Sequence, residues 1–487
     1  MKKNLCFQRS FSVVGLIQRS YYLIGLFIVL LSPSTYAQHE ADKWYFGQHA
    51  GLDFTGGAPV AVYGSALATT EGCATISDNN GNLLFYTDGV TAWDRNHNVM
   101  PNGTGLMGGI SSTQSSICIP LPGSSTIYYL FTVDEIGGPN GFRYSIVDMT
   151  LNGGNGDIDT SSKNVFILGS VTEKLTAMKQ PTGDYQVAVH EWGSDAFYVY
   201  QLTSGGLQPL PSISHVGIIH NTSAIQNTYG EMKFSPCGDK IAVAIGYEDT
   251  VEIFSFDEFT GIISNAITIP MGAHVYGIEY SRNGDLLYVS NYDPLGTLVQ
   301  YDISSGNAAT IIASKTILSS TPDIYGLQIG NDGRIYTSVP WLPYLGVINN
   351  PNVQGTGCNY VDNGVDLDPQ FMGITSAIGL PAFIQSAFRL EIECMPSGVN
   401  DINSENEFVI SPNPVTDHFE ISFHLESEAT LAIYDALGKK VFEKFYPSIA
   451  LRQIDLNAKE LGLVEGIFFA EVSSGTKRYS RKFICVR

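Results

Sequence analysis

The chain holds 487 residues, roughly three domains' worth, and 44% of them are apolar, so a sizeable packed core is within reach and long disorder is excluded. Charged residues are only 15%, while 50 Gly and 26 Tyr favour tight turns and half-buried aromatic strands, the composition of an all-β protein. A formal charge of −21 argues against nucleic acid and anionic membrane surfaces as partners, because phosphates need a basic footprint.

The first 37 residues carry Lys2, Lys3, Arg9 and Arg19 with no acid, then the apolar run Leu23 to Leu31, then Ser34-Thr35-Tyr36-Ala37. Basic, apolar and small residues in that order predict a signal peptide cleaved near Ala37. A membrane anchor is the alternative, but the run is shorter than the ~20 residues a spanning helix needs. With no other candidate span, the mature chain is expected outside the inner membrane without a transmembrane segment. Six cysteines remain after cleavage, Cys73, Cys118, Cys237, Cys358, Cys394 and Cys485. None forms a C-x-x-C, which excludes zinc-ribbon and thioredoxin-like sites. In an oxidising compartment Cys358 and Cys394 are the expected pair, both lying in the last stretch of the large domain; buried free thiols are the alternative.

Three segments then align: MKFSPCGDKIAVAIG from Met232, IEYSRNGDLLYVSNY from Ile278 and LQIGNDGRIYTSVPW from Leu327. Each reads as strand, turn, strand, with a turn glycine at Gly238, Gly284 or Gly333. Looser copies centre on Gly81, Gly123 and Gly183. The spacing of 46 and then 49 residues, with about four short strands per repeat, is the size of a propeller blade, and no 3.6-residue apolar period supports helices. Residues 38–395 allow about 51 residues for each of seven blades. Six or eight blades are the alternatives. The seventh would join KWYFGQHAGLDF at the start to ITSAIGLPAFIQSAF at the end, closing the ring with no free edge.

The opening of this region resembles a family of exported propellers from Bacteroidetes-type bacteria, through WYFGQHAGLDF (Trp44 to Phe54) and EGCATISDNNGNLLFYTDGVTAWDRNHNVMPNGTGL (Glu71 to Leu106). That family is similar to WD-type (WD40-like) and YVTN-type propellers and mostly lacks an assigned ligand, so the resemblance implies an architecture and no activity.

The propeller carries no H-E-x-x-H, G-x-S-x-G, Walker A loop or dinucleotide fingerprint, so no catalytic residue is assigned. His190-Glu191-Trp192 lacks the second histidine a zinc helix requires. Acidic loops at Asp78-Asn80-Asn82, Asp157-Asp159 and Asp362-Asp366-Asp368 are made of residues that ordinary turns select. Calcium is the one cofactor they leave open, and Asp362, Asp366 and Asp368 are its candidate ligands. Propeller ligands gather over the central channel, on loops entering the innermost strands. There the chain offers His220, Asn221, Tyr229, His274, Tyr276 and Tyr325, with Trp341 on a later loop. Tyr-Gly recurs at Tyr229, Tyr276 and Tyr325, which packing between blades explains as well as an aromatic binding ring does.

Polar residues from Pro396 to Asn406 read as a linker. The charge changes across it: residues 38–407 hold 12 basic and 37 acidic side chains, residues 408–487 ten of each. The tail alternates apolar and polar residues in six runs, FEISFHL, TLAIYD, KKVFEKF, LRQIDL, IFFAEVSS and YSRKFICV, and so predicts a small antiparallel sandwich. ISPNPVTDHFEISF, LAIYDALGKKVFE and EGIFFAEVSSGTKRYSRKFICV resemble the type A C-terminal sorting domain of type IX secretion cargo. The resemblance implies recognition by that machinery at the outer membrane and delivery outside the cell or onto its surface. Gly466 is followed by Ile467 and lacks the usual upstream proline, and Cys485 lies in the last strand; neither breaks the pattern.

The expected organisation is a signal peptide (1–37), a β-propeller (38–395), a linker (396–407) and a β-sandwich sorting domain (408–487). Two functions fit it. One is an exported binding module that presents acidic loops to a glycan, peptide or protein. The other is a secreted propeller enzyme, a lactonase or glycan lyase or hydrolase, working at the channel. Binding is favoured, because no spacing argues for chemistry and fold alone does not imply function.

Overall fold

The computed structural model describes residues 39–220, 223–293, 296–320, 324–390, 394, 408–423, 429–435, 439–446, 453–474 and 477–486. The expected signal peptide with its cleavage site, the linker 396–407 and Asn221 lie outside these residues. The chain divides into two compact units, residues 1–395 and 396–487.

In the first unit the six turn glycines, Gly81, Gly123, Gly183, Gly238, Gly284 and Gly333, all have φ between 73° and 95°, a region that costs a residue with a Cβ about 1 kcal/mol or more. In five of them the glycine N–H closes the turn at 2.9 Å on the carbonyl three residues back, as Gly238 does on Ser235 and Gly284 on Ser281. Each turn joins the first two strands of an antiparallel sheet, and there are seven sheets.

Blade 1 is Lys43–Phe46, Ala50–Asp53 and Val60–Ala61. Blade 2 starts at Cys73–Ser77, blade 3 at Ser116–Pro120, blade 4 at Val171–Lys179, blade 5 at Met232–Phe234, blade 6 at His274–Tyr280 and blade 7 at Leu327–Ile329. Each of these six sheets runs outward from its first strand in sequence order. The arrangement is a seven-bladed β-propeller.

The first strands of adjacent blades are tied together where they begin. Gly72 N donates to Ser112 O (3.0 Å), Gln114 N to Glu173 O (3.1 Å), Glu231 N to Tyr276 O (2.8 Å), Gly326 N to Ile378 O (3.0 Å) and Ile378 N to Thr70 O (2.9 Å). Between blades 4 and 5 the Lys174 ammonium donates to the carbonyls of Thr228 and Tyr229, both at 2.7 Å. Between blades 6 and 7 the Ser290 hydroxyl accepts from Gly277 N (2.9 Å) and donates to Tyr325 O (2.5 Å). The circuit is closed.

Its seventh position is filled by the end of the unit. Gln48 and Thr375 exchange backbone hydrogen bonds at 2.9 and 3.3 Å, which joins the far segment to blade 1 as the sequence implies. The segment does not stay there, in contrast to the expectation. Pro381–Ala382 pairs in parallel with Cys73–Ala74 of blade 2, and Ile384 bridges Ala177 of blade 4. Pro381 has no N–H for an antiparallel ladder. Gly379 passes so close to Glu71 that a Cβ would lie 2.4 Å from its carbonyl.

Residues 381–389 thus cross the end of the channel where the turns lie. Lys179 N donates to Ser386 Oγ (2.7 Å), Arg282 Nε to Phe388 O (2.8 Å), and Arg389 pairs with Glu258 at 3.5 Å. Phe383 packs on Trp44, ring centroids 5.6 Å apart. The strap ends in a disulfide from Cys394 to Cys237, in the turn of blade 5. This corrects the expected Cys358–Cys394 pair: Cys358 is buried as a free thiol beside Tyr288, and Cys73, Cys118 and Cys485 are buried and free as well.

The second unit is a sandwich of two antiparallel sheets. One orders Phe408–Ser411, His418–Phe423 and Gln453–Asn457; the other orders Lys440–Tyr446, Ala429–Asp435, Gly466–Ser474 and Lys477–Cys485. The six predicted strands are present, with Phe408–Ser411 as a seventh. Alternation places Phe419, Ile421, Leu431, Ile433, Val472 and Phe483 in one core.

The Cys237–Cys394 bridge closes a span of 157 residues and pins the strap. Cys237→Ser is expected to lower stability by about 2–5 kcal/mol in urea unfolding of the mature chain. Adding reductant should reproduce the loss in the parent protein and leave the variant unmoved.

Candidate functional site

The closed circuit fixes which side chains surround the open end of the channel. The Tyr-Gly steps are explained by the backbone: a Cβ at Gly277 would lie 2.0 Å from Tyr325 O, and one at Gly230 2.5 Å from Ala244 O. Only glycine allows that approach, so the preceding residue is set at the mouth.

Three carboxylates meet there. Glu71 takes Ser111 Oγ on Oε1 and the Tyr276 hydroxyl on Oε2, both at 3.1 Å. Ser111 N donates to Glu135 Oε2 at 3.2 Å, so one serine joins two acids from different blades. Glu173, fully buried, accepts from Thr113 N and Oγ1 on one oxygen (2.9 Å each) and from Ile136 N on the other (2.7 Å). One network therefore runs Glu135, Ser111, Glu71, Tyr276, and Glu173 lies near enough for its charge to act on both Glu71 and Tyr276.

Burial dominates its electrostatics. It pushes Glu71 up to about 8, with the Glu173 charge adding to the rise. It raises Glu173 and the Tyr276 phenol, and lowers the ammonium of Lys174. Deeper between blades 5, 6 and 7, Lys233 binds Glu279 (2.9 Å), Gln328 Oε1 (3.1 Å) and the Leu327 carbonyl; burial still pushes neighbouring Glu231 to about 7.

An aromatic row leads into this network. Tyr247 stacks on His274 at 3.9 Å, His274 faces Tyr292 at 5.9 Å, Tyr292 stacks on Tyr325 at 5.2 Å and Tyr325 meets Tyr276 edge-on at 5.4 Å.

Of the predicted residues, Tyr276 belongs to the acidic network, and Tyr325 and His274 to the row. His274 Nδ1 is held at 2.6 Å by Asp249. Tyr229 is half-buried and gives its carbonyl to Lys174. Trp341 is exposed on a loop whose backbone bonds Ser376 (3.0 Å). His220 departs from expectation: it is buried against His190, rings 3.6 Å apart, and burial drives both imidazoles far below their usual range. Packing, not presentation, explains it. Asn221 lies outside the described residues.

Of the candidate calcium residues, Asp78, Asp159 and Asp368 sit at turns, whereas Asp157 lies in the short strand Asp157–Ile158 and Asp362 and Asp366 in the strand Tyr360–Asp366. Asp368 spends its carboxylate on the N–H groups of Met372, Gly373 and Ile374, Asp366 accepts from Asp368 N, and Asp362 accepts from Ser319 Oγ. Asp78 accepts from Asn80 N and Asn82 N, and Asp159 from Ser161 N. Among the described residues no group of three or more His, Cys, Asp or Glu is arranged to hold a metal.

Sequence reading missed Glu71, Ser111, Glu135 and Glu173. The available signal was Glu71-Gly72, an X-Gly step like Tyr276-Gly277. It sits nine residues before its turn glycine, where Gly277 and Gly326 sit seven before theirs, so the repeat alignment hides it.

Fold and mouth define an all-β propeller with an acidic, tyrosine-lined opening, followed by a sandwich tail. Residues 409–486 match the family described as the secretion system C-terminal sorting domain, which makes the chain a cargo of type IX secretion, destined for the cell surface or the medium. No curated protein matches the chain at a significant level. Among solved structures, it is similar to PorZ, a surface component of the type IX secretion system of Porphyromonas gingivalis (12% identity, TM-score 0.35), over 93% of this chain and 60% of PorZ. The chain thus spans about three-fifths of that protein's length. It is also similar to a putative 6-phosphogluconolactonase from Bacteroides fragilis (12% identity, TM-score 0.45), over 72% of this chain and 99% of that one. A second such protein, from Bacteroides uniformis, has 13% identity and a TM-score of 0.42, over 69% and 98%.

Because burial keeps Glu71 protonated in the folded chain up to about pH 8 instead of 4.5, the folded state holds this proton more tightly than the unfolded one. Stability from this group is full at low pH, falls as pH rises through that window and levels off above it. Glu71→Gln removes the loss, so the variant should gain on the parent between pH 5 and pH 9. Parallel urea-unfolding profiles for the two proteins would refute the burial of this carboxyl.

Proposed function

We propose that the exported protein is a binding module whose ligand enters the open mouth of the propeller, with residues 408–487 serving as its address to the type IX machinery and a signal peptide removed near Ala37. The observation that carries the binding reading is the engagement of the mouth carboxylates by the chain's own donors. Glu71 holds a hydroxyl on each oxygen, and Glu173 holds three donors. Such a lining is preorganised to receive polar groups, and its acids are not left free to attack a bond.

A second reading has a specific observation behind it. Glu71, pushed up to about 8, is linked through Ser111 to Glu135, and two carboxyls of unlike environment are the parts of a general acid and base. In that reading the protein is a lactonase or a glycan lyase or hydrolase. The readings separate by assay of the mature chain on lactones and acidic and neutral oligosaccharides. Binding without turnover, weakened by Tyr276→Phe, is the expected result; turnover abolished by Glu135→Gln would establish the enzyme instead.

Export is tested independently. Deletion of residues 396–487 should leave the propeller in the periplasm, and N-terminal sequencing of the exported protein should begin at Gln38. Normal surface delivery of the truncated chain would remove the addressing role of the tail.

A further inference from the structure

The loops around the mouth expose large apolar side chains in backbone conformations that such residues avoid. Phe371 is 93% exposed with φ 59°, Trp341 54% exposed with φ 65°, and Ile136 is exposed with φ 50°. Left-handed backbone at a bulky or β-branched residue is strained, and persists where the surroundings impose it.

The surroundings here do so with hydrogen bonds. The Asp368 carboxylate grips the backbone of Met372, Gly373 and Ile374, lifting Phe371 and Met372 outward. Trp341 N and Leu342 O both bond Ser376, two residues from the circuit position Ile378. Ile136 N is bonded to Glu173 itself, and exposed Ile110 adjoins Ser111. Ile110, Ile136, Trp341, Leu342, Phe371 and Met372 therefore rim the mouth whose floor is Glu71, Glu135 and Glu173. An apolar rim exposed to this extent around an acidic floor is a surface that awaits cover.

Resting on the binding reading above, we infer that the occupant is a protein segment that places one arginine or lysine side chain into the mouth and lays flanking apolar residues on the rim. Charge complementarity selects it. Glu71 and Glu135 share Ser111, and the charge of buried Glu173 adds to the cost of ionising Glu71. A neutral sugar does nothing to relieve that repulsion, whereas a guanidinium stabilises the ionised carboxylates in place of the Glu71 proton and stacks on the half-buried Tyr325 ring. The rim supplies what a lone cation would leave unused. Aromatic and arginine side chains, one buried centrally and others around it, are the usual anchors of protein interfaces.

The test uses the full mature chain and two pools of acetylated, amidated hexapeptides, identical except that the third residue is arginine in one and its uncharged isostere citrulline in the other. Dye-labelled pools are titrated and followed by anisotropy, with an oligosaccharide panel beside them. The arginine pool should bind about tenfold more tightly, weaken with added salt, and lose about tenfold on Glu135→Gln. Because Trp341 and Phe371 are exposed, Trp341→Ala and Phe371→Ala retain the fold and should each weaken the same pool several-fold. Equal binding of both pools, binding of neither, or indifference to the two rim variants overturns the inference. Sugar binding in their place overturns it too but leaves the binding reading standing, while substrate turnover would remove both.

Discussion

Everything else in the propeller depends on the circuit of hydrogen bonds that joins the inner strands of blades 2 to 7 where they begin and closes through Ile378. A four-stranded sheet has two apolar faces and cannot bury both alone, so each blade needs a neighbour on either side, and the last needs the first. Individually such hydrogen bonds contribute about 1 kcal/mol. Collectively they set the geometry, because an inner strand cannot slide along the axis without breaking bonds to both neighbours. Gln114 shows how tightly the lining is used: its side chain accepts from Met232 N and Leu175 N and donates to Met232 O, spanning blades 3, 4 and 5. The residues at the start of each inner strand therefore have little choice of position, which is how Glu71 and Tyr276, 205 positions apart in sequence, come within 3.1 Å.

Charge is distributed to match. Two of the few cations of the propeller, Lys174 and Lys233, are buried in the lining and consumed by backbone carbonyls and Glu279. They hold blades together and neutralise little at the mouth. Desolvation outweighs the remaining attraction, so Glu71 rises although it holds two hydroxyl donors. The tail, with equal numbers of acids and bases, has no comparable field. Acidity in this chain is a property of the propeller.

The fold was largely legible in the sequence, because its strongest determinants are local. A positive φ at Gly238, Gly284 or Gly333 is a requirement of a few residues, repeated at blade spacing, and alternation within six tail segments states a two-sided sheet. The site was legible only in part. Tyr276 and Tyr325 were found because the residue after each must be glycine, a constraint visible in one dimension. Glu71, Ser111 and Glu135 come from three connecting segments and Glu173 from the first strand of blade 4, with no common motif, and their meeting is a consequence of ring closure. His220 misled for the complementary reason: a polar residue beside an inner strand reads as presented, but here its imidazole is buried and stacked face to face on that of His190. The disulfide was misjudged because proximity to a domain's end says nothing of where the strap lands; it lands on the turn of blade 5.

The strap also explains why the two ends of the channel are unequal. A propeller axis is open at both ends unless something covers it, and in this chain residues 381–389 leave blade 1 for blades 2 and 4 and then reach the turns of blades 5 and 6. Its Ser386 hydroxyl accepts from Lys179 N of blade 4, its Phe388 carbonyl accepts from Arg282 Nε, and its aromatic residues join Trp44 in the core, so it is part of the folded unit and not a lid. The strap narrows its end without filling it, for a cavity lined by Thr75, Cys118, Lys179, Tyr185, Phe383 and Ile384 remains beside it. The end where the strands begin carries the carboxylates, tyrosines and exposed apolar loops. The proposed recognition and the stability supplied by the strap thus lie at opposite ends of the ring, and a change that alters the mouth loops leaves the strap and its disulfide untouched.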